Sequence, residues 1–282
     1  MTMQLGNATL TMVNGGDFRL DGGAMHGVVP KTIWSRLVSC DEHNRVTYAT
    51  NCLLVEIGGR RVLVETGNGD KFPAKEREIY GIDHDRSAAA ALRELGVPPE
   101  SIDVVLMTHL HFDHSGGATR RTASGALEPV FPRARHVVQR RELDAALHPH
   151  ERNRASYLAE NLQPLEAAGL LEVVDGEADI LPGIRVLPTP GHTPGHQSIL
   201  VDGGGPKALF LGDVIPTSVH VRLPFVMAYD LDVTGTIESK RRLLDDAIKD
   251  DWLVLFGHDR RHGARLGRDA KGQAQVIELV DL

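Results

Sequence analysis

Residues 108–117 read Thr108-His109-Leu110-His111-Phe112-Asp113-His114-Ser115-Gly116-Gly117, directly after the apolar run Asp103-Val104-Val105-Leu106-Met107. A buried strand that ends in three histidines and an aspartate within six positions constrains the chain more than any other feature. In extended backbone, side chains two apart point the same way, so His109 and His111 can grip one cation. Asp113 and His114, where the chain turns into the glycine pair, can aim at a second cation a few Å away. A lone histidine is more often a core or surface residue; four potential ligands packed this closely read as a ligand cluster.

Two cations need about six or seven donors, so further ligands are expected at other strand ends. His192 stands in Thr189-Pro190-Gly191-His192-Thr193-Pro194-Gly195-His196, Asp213 follows Phe210-Leu211-Gly212, and His258 follows Leu255-Phe256-Gly257. Asp213 is the natural bridge, since each carboxylate oxygen can bind one cation. The glycine beside each of the three is expected to let the backbone approach the metals closely. His196 opens the next strand and is read as a supporting residue. His43, His84, His136, His148, His150 and His262 lie in polar or arginine-rich segments and are expected at the surface.

Around these residues the patterning alternates between strand and helix. Ala8–Val13 alternates, Asn51–Ile57 and Arg61–Thr66 form a hairpin over Gly58-Gly59, and Ser87–Leu95 reads as a helix stopped by Gly96. Gln139–Ala168 is expected to be helical with breaks at Pro149 and Pro164. Short strands follow at 171–174, 184–187, 197–201 and 208–211, then an amphipathic helix over Thr234–Ile248 and a strand at Trp252–Phe256. Interleaving of this kind packs most economically as two sheets with helices outside, here an α/β four-layer αββα sandwich. No repeat or linker divides residues 1–282, so one domain is expected.

Composition removes several classes. Hydrophobic residues make up 41% and charged residues 24%, a globular balance. No stretch approaches the roughly 18 apolar residues of a membrane span, and the start lacks the pattern of a secretion signal, so a cytoplasmic protein is expected. Cys40 and Cys52 lack metal or redox spacing and are expected to be reduced. A net charge of −7 argues against nucleic acid as partner, and Arg120, Arg121, Arg133, Arg135, Arg140, Arg141, Arg152 and Arg154 read as a solvated face.

The His109-Leu110-His111-Phe112-Asp113-His114 run, followed in order by His192, Asp213 and His258, resembles the metallo-β-lactamase superfamily over nearly the whole chain. The resemblance implies an αββα sandwich with the metals at one edge between the sheets. It assigns His109, His111 and His192 to one metal, Asp113, His114 and His258 to the other, and Asp213 to both. Within the superfamily the wording of residues 108–117 and 189–198 is similar to N-acyl homoserine lactonases and methyl parathion hydrolase-like enzymes. Those lactonases carry a tyrosine three residues after the bridging aspartate, where this chain has Pro216.

The chemistry expected is hydrolysis of lactones or related esters. Two divalent ions, zinc foremost with iron, manganese or cobalt as alternatives, lower the pKa of a bridging water from 15.7 toward ~7, and Asp113 returns a proton to the leaving alkoxide. A phosphotriester or aryl-ester hydrolase is the alternative, and a nuclease or a non-catalytic metal module ranks lower. A small-molecule substrate is the expected partner, with a homodimer left open. Two segments are expected to wall the pocket: a glycine-opened loop from Gly22 to Lys31 carrying Met25 and His26, and Ile215–Tyr229 carrying His220, Phe225, Met227 and Tyr229. His26, His220 and Tyr229 are the candidates to replace the missing phenol.

Overall fold

Side-chain alternation along the strands sorts most of the apolar residues into a central core and two outer ones, with a fourth cluster around Phe18, Trp34 and Tyr48. In the computed structural model, which describes residues 2–83 and 85–282, Val62 and Val64 face one way and Leu63 the other. Val104 and Leu106 part from Val105 in the same manner, as do Leu253 and Leu255 from Val254. The inward set from both sheets makes the central core. The outward sets require covering helices.

The first seven-stranded sheet runs in the order Thr2–Leu5, Ala8–Asp21, Arg45–Ile57, Arg60–Val64, Val104–Leu106, Arg135–Gln139, Leu171–Val174. The second runs Ala178–Leu181, Ile184–Pro188, Gln197–Asp202, Lys207–Phe210, Leu253–Leu255, Gly263–Arg268, Ala274–Val280. Helices Ala88–Glu94, Arg140–Leu147 and Ala159–Ala167 cover the outer face of the first sheet, and Val233–Lys249 covers the second. The expected αββα layering is therefore present. In the first sheet Arg60–Val64, Val104–Leu106, Arg135–Gln139 and Leu171–Val174 pair in parallel series from the middle to one edge, and in the second Lys207–Phe210 pairs in parallel with Leu253–Leu255 at the centre.

Several local expectations change. Pro164 does not break its helix: the Glu160 carbonyl, which a residue-164 N–H would have bonded, accepts from Thr119 Oγ1 at 2.8 Å instead. Pro149 does end the helix before it, at Leu147. The expected loop from Gly22 is two short helices, Gly22–His26 capped by the Asp21 carboxylate on the Ala24 N–H (2.8 Å), and Lys31–Trp34. His136 is not at the surface. It sits at 1% exposure on a strand flanked on both sides in the first sheet, and burial pushes its imidazole down to about 4. His262 is half-buried, while His43, His148 and His150 are exposed; His84 lies outside the described residues. Both cysteines are free thiols, Cys52 buried and Cys40 half-buried. Arg120, Arg121 and Arg135 pair with Glu128, Glu160 and Glu172. Among the described residues, no helix is long and apolar enough to cross a membrane.

Candidate metal centre and its cavity

The strands Val104–Leu106, Ile184–Pro188, Lys207–Phe210 and Leu253–Leu255 deliver their following loops to one place. His109, His111 and His192 form one group of donors, and Asp113, His114, Asp213 and His258 a second; within each group the donor atoms lie within 4.8 Å of one another. Asp213 spans both. Its Oδ2 is 3.3 Å from His192 Nε2, and its Oδ1 is 3.4 Å from His114 Nε2 and 3.0 Å from His258 Nε2.

The residues fit a pair of cations. His111 Nδ1 and His192 Nε2 approach to 3.1 Å, and the Nε2 atoms of His114 and His258 to 3.2 Å. Donors held about 2.1 Å from a tetrahedral cation stand about 3.4 Å apart, so these separations match the edges of a coordination shell. The opposite ring nitrogens are taken up by the protein: Nδ1 of His109 meets Thr108 Oγ1 (3.0 Å) and Nδ1 of His258 meets the Ala49 carbonyl (2.8 Å). That leaves His109 Nε2 buried without a hydrogen-bond partner, and Asp213 Oδ1 likewise. Unpaired buried donors and acceptors are costly, and a ligand site explains them.

The local field points the same way. Burial, reinforced by the neighbouring imidazoles, holds His109 and His111 well below the usual range and therefore neutral, the form that ligates. Burial also opposes a charge on His114, yet Asp113, Asp213 and Glu65 raise it well above its ordinary value. Asp213 would be pushed up by burial, but His258, His114 and His192 hold it well below the carboxylate range. Carboxylates converging in a buried pocket favour positive charge there.

An outer set of residues aims these ligands, and sequence reading found only one of them. His196, anticipated as a support, binds Thr189 Oγ1 through Nδ1 (2.8 Å) and takes the Asp213 N–H on Nε2 (3.0 Å). Glu65 has a φ of 65°, a conformation rare for a residue with a side chain, and its Oε1 accepts the Thr108 N–H (2.9 Å) while Oε2 lies 3.4 Å from His114 Nδ1. Glu142, fully buried, accepts the Leu110 N–H (3.0 Å) and the Thr193 hydroxyl (2.5 Å), so one carboxylate joins two ligand loops. No local pattern marks Glu65 or Glu142 in the sequence, because their partners are remote.

The glycines act differently from expectation. Gly212 (φ 61°) makes room for His196, since a Cβ there would lie 2.6 Å from its Nε2, and Gly191 makes room for the Thr236 backbone in the same way, at 2.3 Å. At Gly257 a Cβ would meet nothing closer than 3.9 Å, so no close approach requires it.

Above the donors lies a cavity of about 200 Å3, with His111, Asp113, His192, Asp213 and His258 on its floor. Met25, Met227 and Tyr229, on the two segments singled out in the sequence, line it, together with Tyr80, Phe112 and Leu231, which were not anticipated. His26, His220 and Phe225 do not line it. His26 is stacked between Trp34 and His220, His220 is tied to Thr217 Oγ1 (2.7 Å) and the Met25 carbonyl (2.8 Å), and Phe225 packs edge-on against His26. They form the backing of the wall: His220 holds the Met25 carbonyl, and His26 bonds the Gly22 carbonyl through Nδ1 (2.8 Å). Pro216, where the lactonases of the resemblance carry tyrosine, accepts the His258 N–H at its carbonyl (2.9 Å).

An αββα sandwich with two donor groups sharing one carboxylate at the strand ends defines a metal-dependent hydrolase. The chain belongs to the metallo-β-lactamase superfamily, which matches residues 45–258. It is 31% identical over 222 residues to an N-acyl homoserine lactonase of a Bacillus species, covering 74% of this chain and 80% of the relative. A probable metal-dependent hydrolase from Staphylococcus aureus superposes with a TM-score of 0.91 at 30% identity, covering 99% of both chains. An N-acyl homoserine lactone hydrolase, solved with the product N-hexanoyl-L-homoserine at its catalytic metal centre, superposes with a TM-score of 0.68 at 25% identity, covering 92% of this chain and 95% of that one.

Proposed function

We propose that the protein hydrolyses lactones, with N-acyl homoserine lactones as the leading substrate class. One observation carries the reading: the two donor groups, with Asp213 close to both, form the floor of a small cavity whose walls carry the apolar Met25, Phe112, Met227 and Leu231 beside a few polar groups, Tyr80, Arg152, Asn153 and Tyr229 among them. Similarity to a lactonase at 31% identity supports the substrate class.

In this reading His109, His111 and His192 hold one cation, Asp113, His114 and His258 hold the other, and Asp213 serves both. Bound there, two divalent cations supply Lewis acidity to an ester carbonyl and bring the pKa of water from 15.7 to near 7. Asp113, on the cavity floor, carries the proton to the leaving alkoxide. The apolar walls exclude competing water and orient the ring. Imidazole and carboxylate donors without thiolate suit zinc, with iron, manganese and cobalt accepted by the same set. Ligands drawn from both sheets support a single catalytic unit spanning the chain, and two free thiols support a cytoplasmic setting. Ion pairing of Arg120, Arg121 and Arg135 leaves less free positive surface for nucleic acid, which supports a small-molecule substrate.

The test is a panel on metal-loaded protein: N-acyl homoserine lactones, δ-lactones, aryl esters, a phosphotriester and RNA, with metal content by elemental analysis. Lactones are expected to give the highest kcat/KM. A higher value for the phosphotriester, aryl ester or RNA would replace this reading with that one.

A further inference from the structure

The cavity over the donor groups adjoins a second cleft of about 450 Å3, lined by Arg141, Ala145, His148 and Pro194 among others. Two residues line both spaces, Asn153 and Leu231. The reacting ester must lie over Asp113, Asp213 and His258, and a tail longer than the small inner cavity accepts has this cleft as its adjoining space. A group joining ring to tail along that route would pass beside Asn153 and Leu231, the residues that border both spaces.

Asn153 is the polar member of that pair. It is only 6% exposed, and its Oδ1 is buried without a hydrogen-bond partner. Its backbone shapes the surrounding turn independently of the side chain: the N–H donates to the His150 carbonyl (3.0 Å) and the carbonyl accepts from Ser156 (2.9 Å). No fold requirement thus accounts for a carboxamide here. A buried amide group without a partner is costly to keep, and a carboxamide offers both a donor and an acceptor.

We propose that Asn153 is a specificity-determining residue that pairs with a secondary amide of the substrate at the junction of ring and tail. The proposal rests on the lactonase reading above and narrows it to N-acylated amino-lactones. A substrate amide satisfies the carboxamide. A plain alkyl lactone, an aryl ester or a phosphotriester has no N–H to give it and leaves it unpaired, which is how polar sites reject close analogues.

The test compares N-hexanoyl homoserine lactone with an α-alkyl γ-butyrolactone of matched length that lacks the amide, in the wild type and in Asn153→Ala and Asn153→Leu, all metal-loaded. The wild type is expected to favour the amide substrate roughly tenfold or more in kcat/KM, and both variants to bring that ratio toward unity, chiefly through KM. Melting temperature and metal content are measured alongside to show that fold and centre are intact. A ratio that stays at its wild-type value in both variants, whether the two activities fall together or neither falls, overturns the role of Asn153 and leaves the lactonase reading standing. A wild type that opens neither lactone overturns both.

Discussion

Asp230 holds Nδ1 of His192 at 3.0 Å with one carboxylate oxygen. Its other oxygen accepts the Met227 N–H at 3.0 Å, so a candidate metal ligand and the cavity wall share one buried carboxylate. The neighbouring backbone strengthens the join, with Leu231 N–H on the His192 carbonyl (3.2 Å) and Asp232 N–H on the Gly191 carbonyl (2.9 Å). A carboxylate on Nδ1 fixes the tautomer that turns Nε2 inward.

Asp230→Asn is therefore expected to weaken metal binding by about 10–100-fold, measured by chelator competition, and to raise KM as the Met227 wall loosens. Unchanged affinity and KM would show that His192 and the wall are held without Asp230.

Substitution within the donor groups should separate chemistry from folding. Asp213→Ala and His111→Ala are expected to abolish hydrolysis and reduce bound metal while the far-ultraviolet circular dichroism stays that of the wild type. A strong chelator should do the same to the intact protein, with recovery on adding a divalent metal. Full turnover in either variant, or in protein shown to be metal-free, would remove the two-metal mechanism.

Of His26, His220 and Tyr229, only Tyr229 lines the cavity. Burial pushes the Tyr229 hydroxyl up to about 12, so it remains a donor across the working pH range. Tyr229→Phe is expected to lower kcat at least about tenfold with metal content unchanged. His26→Ala and His220→Ala, which remove the stacked backing, should instead lower the melting temperature, at a cost of a few kcal/mol. A wild-type kcat in Tyr229→Phe would leave carbonyl activation to the metals alone.

His136 gives a pH signature. Its folded pKa is depressed to about 4 from an ordinary 6.5, so between these values the unfolded chain binds the proton that the folded chain refuses. Stability is unaffected above pH 6.5 and is lost as pH falls from 6.5 toward 4, by a few kcal/mol in total. His136→Leu is expected to flatten that part of the pH profile in urea titrations; an identical slope in the variant would exclude the histidine as its source.

The candidate centre was far more legible than its surroundings. His109, His111, Asp113 and His114 sit in one short run, and His192, Asp213 and His258 each follow an apolar strand, so residue type and local pattern identify them. Pro164 misled because its local rule, a lost N–H, is satisfied by Thr119 from another part of the chain. His136 misled because it follows the arginine-rich stretch Arg133-Ala134-Arg135, whereas strand pairing with Val105 and Leu171 carries it into the interior. His26 and His220 were placed on the correct segments, but whether a side chain faces the cavity or the backing depends on contacts with Trp34, Thr217 and Met25.

The sequence by itself determined the layered α/β architecture, the identity and order of the seven candidate ligands, and the hydrolytic class they imply, because strand alternation and ligand chemistry are local properties. Only the tertiary structure decided that Glu65, Glu142 and Asp230 aim the ligands, and that Asn153 lines two adjoining cavities. The His192 to Asp230 bond spans 38 residues and the Glu142 to Leu110 bond spans 32. Such pairings carry no periodicity, and they exist only once the packing of the two sheets and their helices brings the loops together.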